Sequence, residues 1–297
     1  MPLLKRLKNF ISLFTLVFLV GLLVGCASSS LKYSDDVLFS YMPEDALVYM
    51  CFPVDKNIEL ASAMVQASFP DLKEKNVKKI VSSVDTIYAS LSKDDVSLAA
   101  SGSFPTFALD FVLNKKNGWK KIKNINEKYY ESTKTSFELA FPTSSIAFAG
   151  NKVQTMLDLY DNQKIHVPET NAEIFFDSLK QQDVISFYTD NLSSLLPSLE
   201  FSGLKLDFPF GFANGFLYNT LSEKDVYQFE ADISLKDNRL TRAAMTAIKI
   251  FARAKKVSLS VEMIDDSTIH ISGLNISINS FANLITSIIY SNQSKGE

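Results

Sequence analysis

The chain has 297 residues, 46% hydrophobic, 12% aromatic and 21% charged, with 10 Gly and 9 Pro. That composition excludes collagen-like, low-complexity and extensively disordered chains. Two Cys and two His exclude a disulfide scaffold and a His/Cys zinc cage, and a net charge of −3 gives no global basic field for nucleic acid.

Residues 1–25 read as an export signal. Lys5, Arg6 and Lys8 form a positive head, and Phe10 to Val24 follows as an apolar run of about 15 residues, short for a membrane span. The run ends in Leu23-Val24-Gly25-Cys26. This resembles the lipobox of bacterial lipoproteins, where a peptidase cuts before the Cys and its thiol takes diacylglycerol. The resemblance makes Cys26 the lipidated residue, with a diacylglycerol and an N-acyl chain, palmitate-like, as the sole non-protein groups. Two or three acyl chains hold a protein stably where one holds it marginally. Removing three basic and no acidic residues with the leader takes the net charge from −3 to −6. Ala27 is not the Asp that retains enterobacterial lipoproteins in the inner membrane, so the resemblance implies the outer membrane. Cys51 lies in a strand-like run without a local cation, which predicts an inert thiol.

In chain order, Ala46–Phe52 alternates as a strand, and Ile58–Phe69 and Leu72–Val84 carry helical periodicity. Strands Thr86–Leu91 and Val96–Ser101 flank the turn at Ser92–Asp95. A helix at 106–116 follows, stopped by Asn117-Gly118, then strands Phe137–Phe141 and Ile146–Ala149 and a helix at 152–160. The second half repeats the theme. It has a helix at 172–182, a strand at 184–189 and a short helix at 192–199. A hairpin of 212–221 with 226–235 turns at Ser222–Asp225. A helix at 240–254, a hairpin of 257–263 with 268–271, and a last helix at 278–290 complete it. The expected fold is α+β: a duplicated α/β unit with antiparallel hairpins and packed amphipathic helices, after a cleaved lipoprotein signal peptide. The expected divisions are signal 1–25, lipidated Cys and tether 26–34, first unit 35–162 and second unit 163–297.

No nucleophile elbow, H-E-x-x-H or phosphate loop appears, so no enzyme, metal or soluble cofactor is expected. His166 and His270 lack a partner motif, and the Asp pairs 94–95 and 265–266 suit hairpin turns. Three features suit a membrane instead. Arg239, Arg242, Thr246, Lys249 and Arg253 recur at steps of three and four, one stripe along a helix. Residues 239–256 hold six cations and no acid. The last helix sets Ile278, Phe281, Ile285 and Ile289 against an uncharged Ser/Thr/Asn face. Residues 192–216 are rich in Leu and Phe, including Phe208 and Phe210, and the interrupting Pro and Gly read as an apolar loop. Each pattern also suits packing inside the protein. The candidate contacts are Arg239, Arg242, Lys249, Arg253, Phe208, Phe210, Ile285 and Ile289.

These features resemble treponemal outer-membrane lipoproteins of the inner leaflet, which join a lipid anchor to an α/β body with amphipathic helices. In that group the helices enter the periplasmic face of the outer membrane and can perturb it. The resemblance implies a lipid-anchored envelope protein, most often at the periplasmic face of the outer membrane. Its body associates with membrane lipid, binding lipid or perturbing the bilayer. It transfers no site residue beyond Cys26. The alternative is a tethered periplasmic module for a protein partner or envelope assembly, without lipid activity. Its interface would be 192–216.

Overall fold

The computed structural model describes residues 38–280 except 44–45, 69–72, 93–94, 107–112, 124–127, 134–136, 163–170, 180–183, 191, 193–198, 202–203, 207 and 220–225. The order begins with β1 (Val48–Pro53), α1 (Ile58–Ser68), α2 (Glu74–Val81), β2 (Val84–Leu91) and β3 (Val96–Gly102). It continues with β4 (Trp119–Lys123), β5 (Lys128–Ser132), β6 (Glu138–Ala140), β7 (Ile146–Gly150), α3 (Val153–Asp161) and α4 (Asn171–Leu179). Then come β8 (Ile185–Thr189), β9 (Leu199–Phe201), β10 (Leu204–Leu206), β11 (Phe210–Asn219) and β12 (Val226–Leu235). The last are α5 (Thr241–Ala254), β13 (Ser260–Met263) and β14 (Thr268–Ser277).

Twelve strands form one antiparallel sheet in the order β13-β14-β12-β11-β8-β1-β2-β3-β7-β6-β5-β4. The fold is therefore α+β, and the two halves are continuous through the β1–β8 pair, where Tyr49–Cys51 meet Ser186–Tyr188. Outward from that pair the order mirrors itself: β2, β3, β7, β6 on one side, β11, β12, β14, β13 on the other. This is the arrangement a duplicated unit produces. The β4–β5 hairpin extends the first half and, among the described residues, has no counterpart in the second half of the sheet.

The alternation of side chains splits the core into layers. Phe52, Ile87, Ala89 and Leu98 point toward α1 and α2, where Leu60, Val65, Val77 and Ile80 close on them. Tyr49, Tyr88, Phe148 and Tyr188 point the other way, into an aromatic layer with Phe176 of α4 and Met156 of α3. Cys51 packs at the edge of that layer and is half-buried. All seven residues of β3 are buried, as expected of a strand covered on both faces. Tyr227, Phe229, Ile233 and Leu235 alternate along one face of β12, so α5, which packs on Leu235, shares its side of the sheet with α1 and α2. The Tyr227 hydroxyl donates to Asn57 Oδ1 at 2.8 Å, and both residues are buried, joining β12 to the start of α1.

Several elements differ from the sequence expectation. β4 and β5 were not expected, because lysine dominates their alternation. Of the helix expected at 106–116, residues 107–112 lie outside the described set; Lys115–Asn117 form a 3-10 turn. The 84–91 strand begins earlier than expected, because Ser82 and Ser83 stop α2: the Ser83 hydroxyl bonds to the Ile80 carbonyl at 2.6 Å. β14 runs to Ser277 rather than Ile271, because Gly273 (φ +79°) absorbs a bulge opposite Phe229 and Ala231. The strand expected at 212–221 begins at Phe210, so the end of the segment read as an apolar loop, 210–216, belongs to β11. Gly215 suits a strand there, since a Cβ would come within 2.3 Å of the Glu230 carbonyl. The short helix expected at 192–199 and the last helix beyond Ser280 lie almost wholly outside the described residues.

Candidate membrane-contact site

The site is built on α5. A 3-10 turn, Asn238–Leu240, leads into it. Asp237 accepts from the Arg239 backbone N–H at 3.0 Å and holds its guanidinium in two more bonds, 2.9 and 2.7 Å long. Arg239 in turn holds the Asp237 carboxyl below its usual range. The buried Thr241 hydroxyl lies 2.9 Å from both the Asn238 and Asp266 carbonyls, tying the helix to the β13–β14 turn. Ala244 packs against Leu235, Val261 and Ile269 of the sheet, and Ala252 is buried two turns further on. The helix ends where Lys256 turns left-handed (φ 55°), and Arg253, Lys255 and Lys256 sit at its negative end.

The outward side of α5 has two parts. Arg242, Thr246, Lys249 and Arg253 fall on one stripe; Arg242 and Arg253 are exposed and Lys249 is half-buried. Beside it, Ala243, Ile250, Phe251 and Ala254 make an exposed apolar flank. Ile250 is 41% exposed, Phe251 42%, and Val257 just beyond the helix 37%. The Lys255 ammonium lies 5.8 Å from the Phe251 ring centre. Cations beside protruding apolar side chains suit a helix lying in a headgroup boundary.

The remaining expected contacts sort plainly. Arg239 is exposed but paired with Asp237. Phe208 and Phe210 are 9% and 5% exposed, packed with Leu235, Ala244 and Ile269 beneath α5. In this arrangement they are core, and they reach lipid only if α5 lifts. Cys26, Ile285 and Ile289 lie outside the described residues. Ile250, Phe251 and Val257 are not among the contacts expected from the sequence. The signal for Ile250 was its position four residues after Thr246, on the edge of the basic stripe.

On the reverse face of the same strands, Phe212 stacks on Tyr188 at 6.2 Å, Tyr218 donates to Glu230 at 2.6 Å, and His270 Nδ1 lies 2.7 Å from Asp232. Burial, and then the Glu230 bond, push the Tyr218 hydroxyl up to about 12. Among the described residues no three His, Cys, Asp or Glu side chains gather as metal ligands. No described helix is long and apolar enough to cross a membrane, which says nothing about strands.

A family model described as outer membrane-associated lipoprotein TP0453 matches residues 36–282. The chain belongs to that family. Crystal form I of TP0453 shares the fold with a TM-score of 0.60 at 19% identity, covering 84% of this chain and 96% of the other. Crystal form IV gives 0.59 at 17% identity with the same coverage. No curated protein matches. Membership of the TP0453 family agrees with the lipobox reading and makes this a lipid-anchored protein of the cell envelope, associated with the outer membrane. The family is not one of enzymes.

Proposed function

We propose that the body docks on the inner leaflet of the outer membrane through α5, while acyl chains on Cys26 hold it there. Arg242, Lys249, Arg253, Lys255 and Lys256 meet anionic headgroups, and Ile250, Phe251 and Val257 enter the acyl boundary. The observation that carries this reading is the exposure of Ile250 and Phe251 beside the basic stripe. A helix serving only the core has no use for a phenyl ring in water beside three cations. Bilayer perturbation or lipid uptake would go further and require α5 to lift from Phe208 and Phe210, which lipid drives only by binding the open form more tightly.

The test is flotation of residues 27–297, which keep every described residue and lack the anchor, with neutral and anionic vesicles. Binding that survives high salt marks apolar insertion, and binding that salt abolishes marks the stripe alone. Loss of the salt-resistant part in an Ile250→Ser, Phe251→Ser variant supports the reading. Failure of the unaltered chain to float under any condition overturns it in favour of a tethered partner-binding module. The exposed Phe212 on the reverse face would then be the first surface to probe.

A further inference from the structure

We propose that the lysine-rich β4–β5 hairpin is a second docking surface, and that its partner is a carboxylate-bearing polymer rather than lipid. Residues 115–132 carry six lysines against two acids, Glu127 and Glu131, in a chain of net charge −3. Lys115, Lys116, Lys120 and Lys123 are exposed. Lys120 meets Glu131 at 3.5 Å, an exposed pair that neutralises little. Lys128 is exposed and its ammonium lies 5.5 Å from the Tyr130 ring centre.

Three observations separate this surface from α5. The first is place. β4 and β13 are opposite edges of a 12-stranded sheet, so the hairpin and α5, which packs over β12 to β14, lie toward opposite ends of it. The second is chemistry. The exposed large apolar side chains of α5 have no equivalent between Leu113 and Thr133 among the described residues. A sheet edge with ammonium groups on both faces, Lys120 on one and Lys123 on the other, and without apolar anchors binds by charge alone, which fits a hydrated polyanion better than an acyl boundary.

The third is topology. The hairpin is the part of the sheet that, among the described residues, the second half does not repeat. Lysines on an edge strand guard against edge-to-edge pairing, which accounts for those on β4. It does not account for Lys115 and Lys116 in the preceding turn, nor for Lys128 on β5, which is not an edge. Given a body facing the periplasm, as proposed above, the polymer with peptide carboxylates opposite it is the cell-wall mesh. The identity of the polymer rests on that reading; the binding chemistry does not.

The test is cosedimentation of the lipidated mature chain, residues 26–297, in nonionic detergent, with purified peptidoglycan sacculi at about 50 mM and about 300 mM salt. The protein should sediment at low salt and be released at high salt. The combined Lys115→Gln, Lys116→Gln, Lys120→Gln, Lys123→Gln variant should lose about tenfold or more in affinity. An Arg242→Gln, Arg253→Gln variant should change less than about twofold. In vesicle flotation the two variants should exchange roles, so a failed vesicle arm counts against α5 and a failed sacculus arm against the hairpin. Absence of sedimentation at low salt, equal loss in both variants, or loss of vesicle rather than sacculus binding on neutralising the hairpin overturns the proposal. Melting curves guard against misfolding. If the fourfold variant melts early, Lys115→Gln with Lys116→Gln, outside the sheet, carries the same test.

Discussion

The two cationic regions, α5 and the β4–β5 hairpin, have similar charge and opposite construction. On α5 the cations flank Ile250, Phe251 and Val257, and a small-residue face seats the helix tightly on the sheet. On the hairpin the cations stand on backbone that ends the sheet, with Trp119 and Tyr130 turned inward and buried. Charge count alone does not tell these surfaces apart. What distinguishes them is where the apolar side chains go once the core is full.

The largest expected effect comes from neutralising the α5 stripe. At about 1 kcal/mol per cation near an anionic surface, Arg242→Gln, Lys249→Gln and Arg253→Gln together should cost about 3 kcal/mol on anionic vesicles and nothing on neutral ones. Equal losses on both vesicle types would erase the distinction between charge and insertion. Next, Ile250→Ser with Phe251→Ser should remove about 2 kcal/mol of binding to either vesicle type, measured by flotation, because these side chains are already half in water. Their effect on stability should stay within about 0.5 kcal/mol, which thermal melting checks.

The comparison also assumes that both ends belong to one cooperative body. Tyr227→Phe leaves buried Asn57 Oδ1 without its donor and should destabilise by about 1–3 kcal/mol in a single denaturant transition. Two transitions would separate the ends. Burial, with the nearby Glu59 carboxylate second, pushes the Tyr227 hydroxyl up to about 12. The unfolded chain ionises first, near the ordinary value of 10.0. The contribution of this group is therefore whole below that value and is lost as pH rises toward 12, a loss Tyr227→Phe should reduce in alkaline melting. The smallest effect should be on vesicles: neutralising Lys115, Lys116, Lys120 and Lys123 should change anionic-vesicle binding by less than about 0.5 kcal/mol at physiological salt.

Much of the fold was legible from alternation and turn chemistry. The β11–β12 and β2–β3 hairpins, α1 and α5 all announce themselves through apolar periodicity; that the two halves share one sheet in mirrored order does not. The β4–β5 hairpin did not, because its strands alternate lysine with Trp119, Ile122 and Tyr130, and edge strands carry few apolar residues. The length of β14 was hidden by Gly273, which reads as a break until the bulge opposite β12 is seen. At the site, the stripe of Arg242, Lys249 and Arg253 was visible in spacing. The exposure of Phe251 was not, since a helical wheel does not reveal where the sheet beneath it stops. Phe208 and Phe210 went the other way: two aromatic residues beside Pro209 look like a loop tip, yet α5 folds back over them.

The β1–β8 junction has a consequence for biogenesis. β1 is complete once residue 53 emerges, and β2 covers one of its edges soon after. Its other edge waits for Ile185–Thr189, encoded far downstream. A chain threaded into the periplasm from its N-terminus therefore carries an open, strongly apolar ladder through most of its translocation, and such ladders recruit one another. The yield of this protein in the envelope should follow the supply of holding chaperones during export more closely than its final stability.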